Sequence, residues 1–197
     1  MIRARGLGRR FGDKRALTGV DVEVERGEFL LVTGPNGSGK TTLLRLFAGL
    51  LVPTSGELEV RTDRARVGFL GHEPLVYREL TLLENLDLYG RLYRIAERRE
   101  RIGMLLERFG LWEARGELTG DLSRGMLQRL ALCRTLLHDP DLLLLDEPFS
   151  ALDATGVNLL LDELGRLHPP GRTVVLSSHQ PERLGDRPTS RLALSPA

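Results

Sequence analysis

Residues 34–41, Gly34-Pro35-Asn36-Gly37-Ser38-Gly39-Lys40-Thr41, fit the pattern G-x-x-x-x-G-K-[ST]. Each residue type has a use if the partner is a polyphosphate. Glycines reach positive φ, so successive backbone N–H groups turn inward around an anion. Lys40 brings a mobile positive charge to the β and γ phosphates, and the Thr41 hydroxyl can ligate Mg²⁺. The loop from Gly34 to Thr42 is therefore the candidate nucleotide cradle. Of the 28 basic residues only Lys14 and Lys40 are lysines, so a lysine at this position invites a chemical reason.

The second chemical element is the pair Asp146-Glu147, which closes the apolar run Leu142-Leu143-Leu144-Leu145. A buried strand ending in two carboxylates delivers them to the C-terminal edge of a parallel sheet, where ligands bind in such folds. Asp146 is placed to hold Mg²⁺, directly or through water, and Glu147 to polarise an attacking water. Alone, an acidic pair after an apolar run is a weak signal. Combined with the loop it points to a site that binds a nucleoside triphosphate.

These groups need a scaffold, and the hydrophobic periodicity supplies one. Val20, Val22 and Val24 alternate with charged residues as in a half-buried strand, and Gly12-Asp13 reads as the turn before it. Phe29 to Thr33 is a short apolar run of the kind found in a buried parallel strand, and Thr41 to Leu50 follows the loop with helical spacing. Pro53-Thr54-Ser55-Gly56 reads as a turn and Val67 to Gly71 as another strand. Thr81-Leu82-Leu83-Glu84 is a capping box opening a helix to about Tyr93. Ala96 to Phe109 is helical and rich in charges of alternating sign, which predicts a solvated face. Ser123 is the expected N-cap of a helix with Leu127, Leu130, Ala131 and Leu137 on one face and Cys133 in its core-facing side. Strand character returns at Leu142–Leu145 and at Thr173–Ser178, with a helix from Thr155 to Leu167 between them. The pattern predicts one α/β domain over 1–197, with a core of approximately 1–71 and 140–197 and a helical subdomain of approximately 72–139.

Composition removes several classes. In 197 residues, 28 Lys and Arg balance 27 Asp and Glu, which gives no support to a nucleic-acid binder. One cysteine cannot form an intrachain disulfide and gives no support to a cysteine zinc site. No apolar run approaches the ~18 residues of a transmembrane helix, and the N-terminus lacks a secretory core. The expected location is cytoplasmic, with any membrane role exercised through a partner. A Ras-type GTPase is excluded because it needs a guanine-reading Asn-Lys-x-Asp, and neither lysine stands in one. A small-molecule kinase is disfavoured by the next motif.

Leu122-Ser123-Arg124-Gly125-Met126-Leu127-Gln128-Arg129 resembles the signature motif of ATP-binding-cassette (ABC) ATPases, whose usual form is Leu-Ser-Gly-Gly-Gln. The resemblance covers nearly the whole chain. Ser150-Ala151-Leu152-Asp153 looks like the family's D-loop, His179 matches its switch histidine, and Phe11 stands where the family places an aromatic on adenine. It implies a P-loop core of ABC type with an N-terminal antiparallel β subdomain. It also implies two chains that sandwich two ATP molecules and drive integral membrane subunits, with no nucleic acid involved. Ser123 and Gly125 would then contact the γ-phosphate across the dimer, with Asp153 near the same seam. Glu147 would act as general base, with His179 holding phosphate and water.

The chain departs from the pattern in three places. Arg124 replaces the usual second-position glycine and Met126 the usual glutamine. The Q-loop glutamine is absent, and His72 stands in its place, where it is expected to sense nucleotide. The segment Gly68-Phe69-Leu70-Gly71-His72, followed by Leu80-Thr81-x-x-Glu84-Asn85-Leu86, is similar to the ATPase subunit of the cytochrome c maturation haem exporter. The compact length is expected of that branch too. The alternatives are an ABC ATPase for another cargo, a soluble non-transport ABC ATPase, and a binding module without hydrolysis.

Overall fold

The computed structural model describes residues 1–167 and 171–196. The segment Ile2–Phe11 (β1) turns at Gly12-Asp13 into Lys14–Val24 (β2), and Ser55–Val60 (β4) joins the free side of β1. These three form an antiparallel sheet in the order β2-β1-β4. The parallel sheet holds Phe29–Thr33 (β3), Val67–Leu70 (β5), Leu142–Asp146 (β6), Thr173–Ser177 (β7) and Ser190–Ala193 (β8), in the order β5-β6-β7-β3-β8. Among the described residues five α-helices complete the fold: Lys40–Phe47 (α1), Leu82–Leu92 (α2), Arg98–Arg108 (α3), Arg124–Leu136 (α4) and Ala154–Leu167 (α5). The expected α/β class with an antiparallel β part is what forms.

The three central strands are apolar except at Thr33, Asp146, Thr173 and Ser177, because both faces of the parallel sheet are covered. Successive side chains leave a strand on opposite faces, so each strand feeds two cores. Leu30, Val32, Leu142, Leu144 and Val175 pack with Leu43, Leu44 and Phe47 of α1 and with Ile2, Leu7 and Leu17 of the antiparallel sheet. Phe29, Leu31, Leu143, Leu145, Val174 and Leu176 pack on the other side with Leu86 of α2, Leu105 of α3, Leu130 and Cys133 of α4, and Leu160 of α5. Cys133 is buried there as expected, and burial pushes its thiol pKa up, out of the reactive range.

Several expectations are corrected. The stretch read only as a turn at Pro53–Gly56 runs directly into β4, and β8 went unread. The loop helix is shorter than Thr41–Leu50, because Gly49 leaves it with φ +66. The charged stretch around α3 is only partly a solvated face. Arg98 binds Asp87 of α2 at 2.7 Å, Arg101 binds Asp139 at 3.0 Å, and Arg108 binds the buried Glu163 of α5 at 3.1 Å. Leu111 is core, whereas Trp112 is partly exposed beneath the Arg115 guanidinium. His138, in the turn after α4, sends its Nε2–H to Val67 O at 3.1 Å and stacks on Tyr93. His168 lies outside the described residues.

Among the described residues no helix is long and apolar enough to cross a membrane.

Candidate active site

Strand β3 brings the chain to the C-terminal edge of the parallel sheet, and the glycine-rich loop turns there into α1. Gly34, Gly37 and Gly39 have φ of 144°, 82° and 95°, which side chains of L residues rarely accept. Two of them are also sterically pinned. A Cβ on Gly34 would sit 2.5 Å from Leu194 O and 2.6 Å from Ser38 Oγ, and one on Gly39 would sit 2.3 Å from Ala16 O. Pro35 and Asn36 form the exposed crest, while Thr41 and Thr42 begin α1 half-buried. The helix has neither a side-chain N-cap nor an acidic residue in its first turn, so its N-terminal N–H groups and dipole face the loop uncompensated.

Lys40 is 7% exposed and donates to Gly34 O at 2.8 Å and Pro35 O at 3.3 Å. Ser38 Oγ is buried with no hydrogen-bond partner among the described residues. A glycine cradle, an unpartnered hydroxyl and a buried ammonium suit a phosphate chain.

Beside it, β6 ends at Asp146, which is 4% exposed and accepts from Ser177 Oγ at 2.7 Å. Glu147 then turns into the left-handed region, with φ +48. Its N–H is shared between Ser177 O at 3.2 Å and Ser177 Oγ at 3.0 Å. The turn sends the carboxylate across the edge of the sheet. Oε1 lies 3.6 Å from Lys40 Nζ, and Oε2 accepts from both the backbone N–H of His179 at 3.1 Å and its ring Nδ1 at 2.7 Å. That bond places a proton on Nδ1 and leaves the exposed edge of the ring for another partner.

Lys40, Asp146, Glu147 and His179 therefore converge. Sequence reasoning missed Ser177, reading it only as part of the lead-in to His179, and no motif marks it. The other candidates stand apart, and no hydrogen bond joins them to the cluster among the described residues. Ser123 caps α4, its Oγ accepting from Met126 N at 3.2 Å. Gly125 lies against Ala151, where a Cβ would be 3.3 Å from the carbonyl oxygen. Asp153 accepts from Gly156 N at 2.8 Å at the start of α5. Phe11 is 46% exposed under the Arg9 guanidinium, and His72 follows β5 with an exposed side chain. Gln128, one turn into α4, is buried and ties the helix to Pro148 O at 3.1 Å, a link that its polarity on an apolar face could have signalled.

The family model described as ABC transporter matches residues 17–150, a span that contains the loop, the Ser123 segment and the acidic pair. The chain belongs to the ABC transporter ATP-binding family. The cassette is 37% identical over 195 residues to the ABC transporter ATP-binding protein NatA of Bacillus subtilis, covering 91% of its own length and 79% of NatA. It is 39% identical over 196 residues to the daunorubicin resistance ATP-binding protein DrrA3 of Streptomyces coeruleorubidus, covering 92% of itself but 62%, under two thirds, of that relative. A solved dimeric ATP-binding cassette, MJ0796, in a post-hydrolysis state with ADP and Pi, superposes with TM-score 0.87 at 30% identity, over 98% of this cassette and 94% of that chain. The cassette is accordingly an ABC ATPase domain. Neither NatA nor DrrA3 bears the name of the haem exporter that residues 68–86 resemble.

Proposed function

We propose that the cassette hydrolyses ATP with Glu147 as general base, in a dimer that drives integral membrane subunits. The observation that carries the hydrolytic reading is the position of one carboxylate. Glu147 lies between the phosphate-loop cation, 3.6 Å away, and His179 Nδ1, 2.7 Å away. A γ-phosphate drawn to Lys40 would therefore have its attacking water beside this carboxylate. Glu147 takes the water proton as the water oxygen bonds to phosphorus, and the bond to the ADP oxygen breaks. His179, anchored through Nδ1, turns its other ring edge to the phosphate. Backbone N–H groups from Asn36 to Thr41 hold the remaining oxygens, and Phe11 stacks on adenine.

Among the described residues no cluster of three or more His, Cys, Asp or Glu could hold a metal. Mg²⁺ commonly enters such sites with the phosphates, through one or two protein oxygens. The Thr41 hydroxyl and the Asp146 carboxylate are suited to that share, and the ion would neutralise charge on the phosphate oxygens.

In the dimer, Ser123, Gly125 and Asp153 would meet the nucleotide of the opposite chain; Ser123 and Asp153 are exposed and Gly125 half-buried at the starts of α4 and α5. The helical segment 72–139 would carry the motion to the membrane partner and place the cassette on the inner face of the membrane, with His72 linking it to the phosphate side. Haem is the cargo we carry forward from the resemblance of residues 68–86. Much of that segment has a structural explanation. A Cβ on Gly68 would lie 2.8 Å from Thr135 O, Thr81 and Glu84 form the α2 capping box, and buried Asn85 binds Tyr77 N at 2.8 Å. Haem export therefore rests on the branch resemblance, and His72 keeps its part on the phosphate side.

Steady-state ATPase measurements on Lys40→Ala and Glu147→Gln test the hydrolytic reading. Lys40→Ala should lose nucleotide binding, and Glu147→Gln should bind ATP yet turn over on the order of 10²–10⁴-fold more slowly. Equal turnover in wild type and Glu147→Gln would refute it. Purification from native membranes tests the partner reading: polytopic subunits with a haem absorbance band support haem, and the same subunits without it discard the cargo alone.

A further inference from the structure

We propose that Ser177 is a positioning residue of the hydrolytic site, setting Asp146 and Glu147 at once through a single hydroxyl. The inference rests on the roles given above to those two carboxylates. Ser177 ends β7, the strand between β6 and β3, and its backbone pairs with Asp146 on one side and Val32 on the other. It is 0% exposed. A hydroxyl has one proton to give and lone pairs to receive, and here both uses are taken. The Oγ–H goes to Asp146 Oδ1 at 2.7 Å, and Oγ receives the N–H of Glu147 at 3.0 Å.

Each bond answers a separate problem. Asp146 is almost wholly buried, and a carboxylate there without a donor is free to rotate and costly to desolvate. With Oδ1 held by Ser177, Oδ2 is the oxygen left for a cation or its water. Glu147 needs its left-handed turn because a continued strand would send its side chain to the face opposite Asp146. Its φ of +48 is uncommon for a residue with a Cβ, and the shared N–H bond to Ser177 O and Oγ holds it. That turn carries Oε1 towards Lys40 and Oε2 onto His179. One buried hydroxyl thus fixes the angle between a metal-binding and a water-binding carboxylate.

Partners that orient ligands in this way typically contribute 10–100-fold to metal affinity or activity. Ser177→Ala should lower kcat by about 10–100-fold while leaving the KM for ATP within about 3-fold. A second readout is binding of a fluorescent ATP analogue with and without Mg²⁺. The affinity in EDTA should be unchanged, and the gain on adding Mg²⁺ should shrink by about 10-fold or more. Ser177→Thr restores the hydroxyl and should recover most of both losses. If Ser177→Ala does not fold, Ser177→Cys keeps the volume with a weaker donor and should fall between wild type and the alanine expectation. A folded Ser177→Ala with kcat and the Mg²⁺ gain both within twofold of wild type overturns the proposal, as does an activity loss equal to the unfolded fraction. The control is Glu147→Gln. If it matches wild type, the hydrolytic reading fails; if it is inactive while Ser177→Ala is silent, only the Ser177 proposal fails.

Discussion

Gly39→Ala and Gly37→Ala are one methyl each, two residues apart in the same loop, and should behave differently. Both positions have positive φ, 95° and 82°. Placing alanine there costs on the order of 1–3 kcal/mol of backbone strain. At Gly37 nothing lies within 4 Å of the added Cβ. With no protein atom in the way the cost is the backbone strain, so Gly37→Ala should lose stability and lose less affinity than Gly39→Ala. At about 2–4 °C per kcal/mol for a domain of this size, Gly37→Ala should lose roughly 2–12 °C in Tm. At Gly39 the Cβ would meet Ala16 O at 2.3 Å, and that oxygen belongs to the backbone of β2. Backbone cannot swing aside like a flexible side chain, so the loop must back away by about 1 Å to restore contact distance, and a displacement of that size costs about 100-fold when it misplaces reacting groups. Gly39→Ala should therefore bind ATP at least about tenfold more weakly and hydrolyse it about 100-fold more slowly. Titration with a fluorescent ATP analogue and steady-state ATPase rates read both effects, with thermal unfolding as the control. Equal affinities in the two variants, or weaker binding in Gly37→Ala, would refute the argument that the Ala16 carbonyl seats the loop.

Two further predictions concern the helices. Glu163 is 2% exposed and depends on Arg108 at 3.1 Å and on the more exposed Arg166 at 3.4 Å. Arg108→Ala leaves one weak partner for a buried carboxylate and should cost about 2–3 kcal/mol, or roughly 4–12 °C in Tm, whereas Glu163→Leu frees Arg108 to reach water and should be near neutral; a greater loss in Glu163→Leu on calorimetry would refute the asymmetry. Burial pushes the pKa of His138 below its ordinary value despite the Val67 carbonyl, with Arg134 and Arg66 adding to the fall. Its contribution to stability is therefore complete above the unfolded pKa near 6.5 and is lost as pH falls through that value towards the folded one. Urea unfolding at pH 7.5 and 5.5 should show a smaller acid loss for His138→Gln than for wild type, and parallel losses would count against it.

What could be read from the residues divides by the range of the forces involved. The phosphate loop and the strands β3, β6 and β7 were legible because their signals are local: glycines around a lysine, and apolar runs that only a doubly covered strand tolerates. Strands β4 and β8 were not, because β4 and β8 lie at sheet edges and their sequences, Ser-Gly-Glu-Leu-Glu-Val and Ser-Arg-Leu-Ala, are half-exposed and short of apolar residues. Ser123 was legible as a helix-starting residue, which is what it does within the single chain, whereas Asp153, read only as part of a D-loop, starts α5 as well.

The site shows the same division inside a few residues. That Gly39 is a glycine follows from the loop motif, but the reason no alanine fits is the carbonyl of Ala16, delivered by a different sheet. Gly34 is closed in likewise by the carbonyl of Leu194, beyond β8 at the far end of the chain. Glu147 is plain as an acid after a buried strand, yet its left-handed turn comes from Ser177 on the neighbouring strand. The chemistry of the site is thus written in contiguous residues, while its aim is set by three groups, Ala16, Ser177 and Leu194, that touch it only after the sheets have formed. Preorganisation of this kind is what lets dipoles and charges act without reorganising during reaction. It follows that substitutions at Ser177, or at residues that move the Ala16 and Leu194 carbonyls, should alter turnover while every motif residue is still in place.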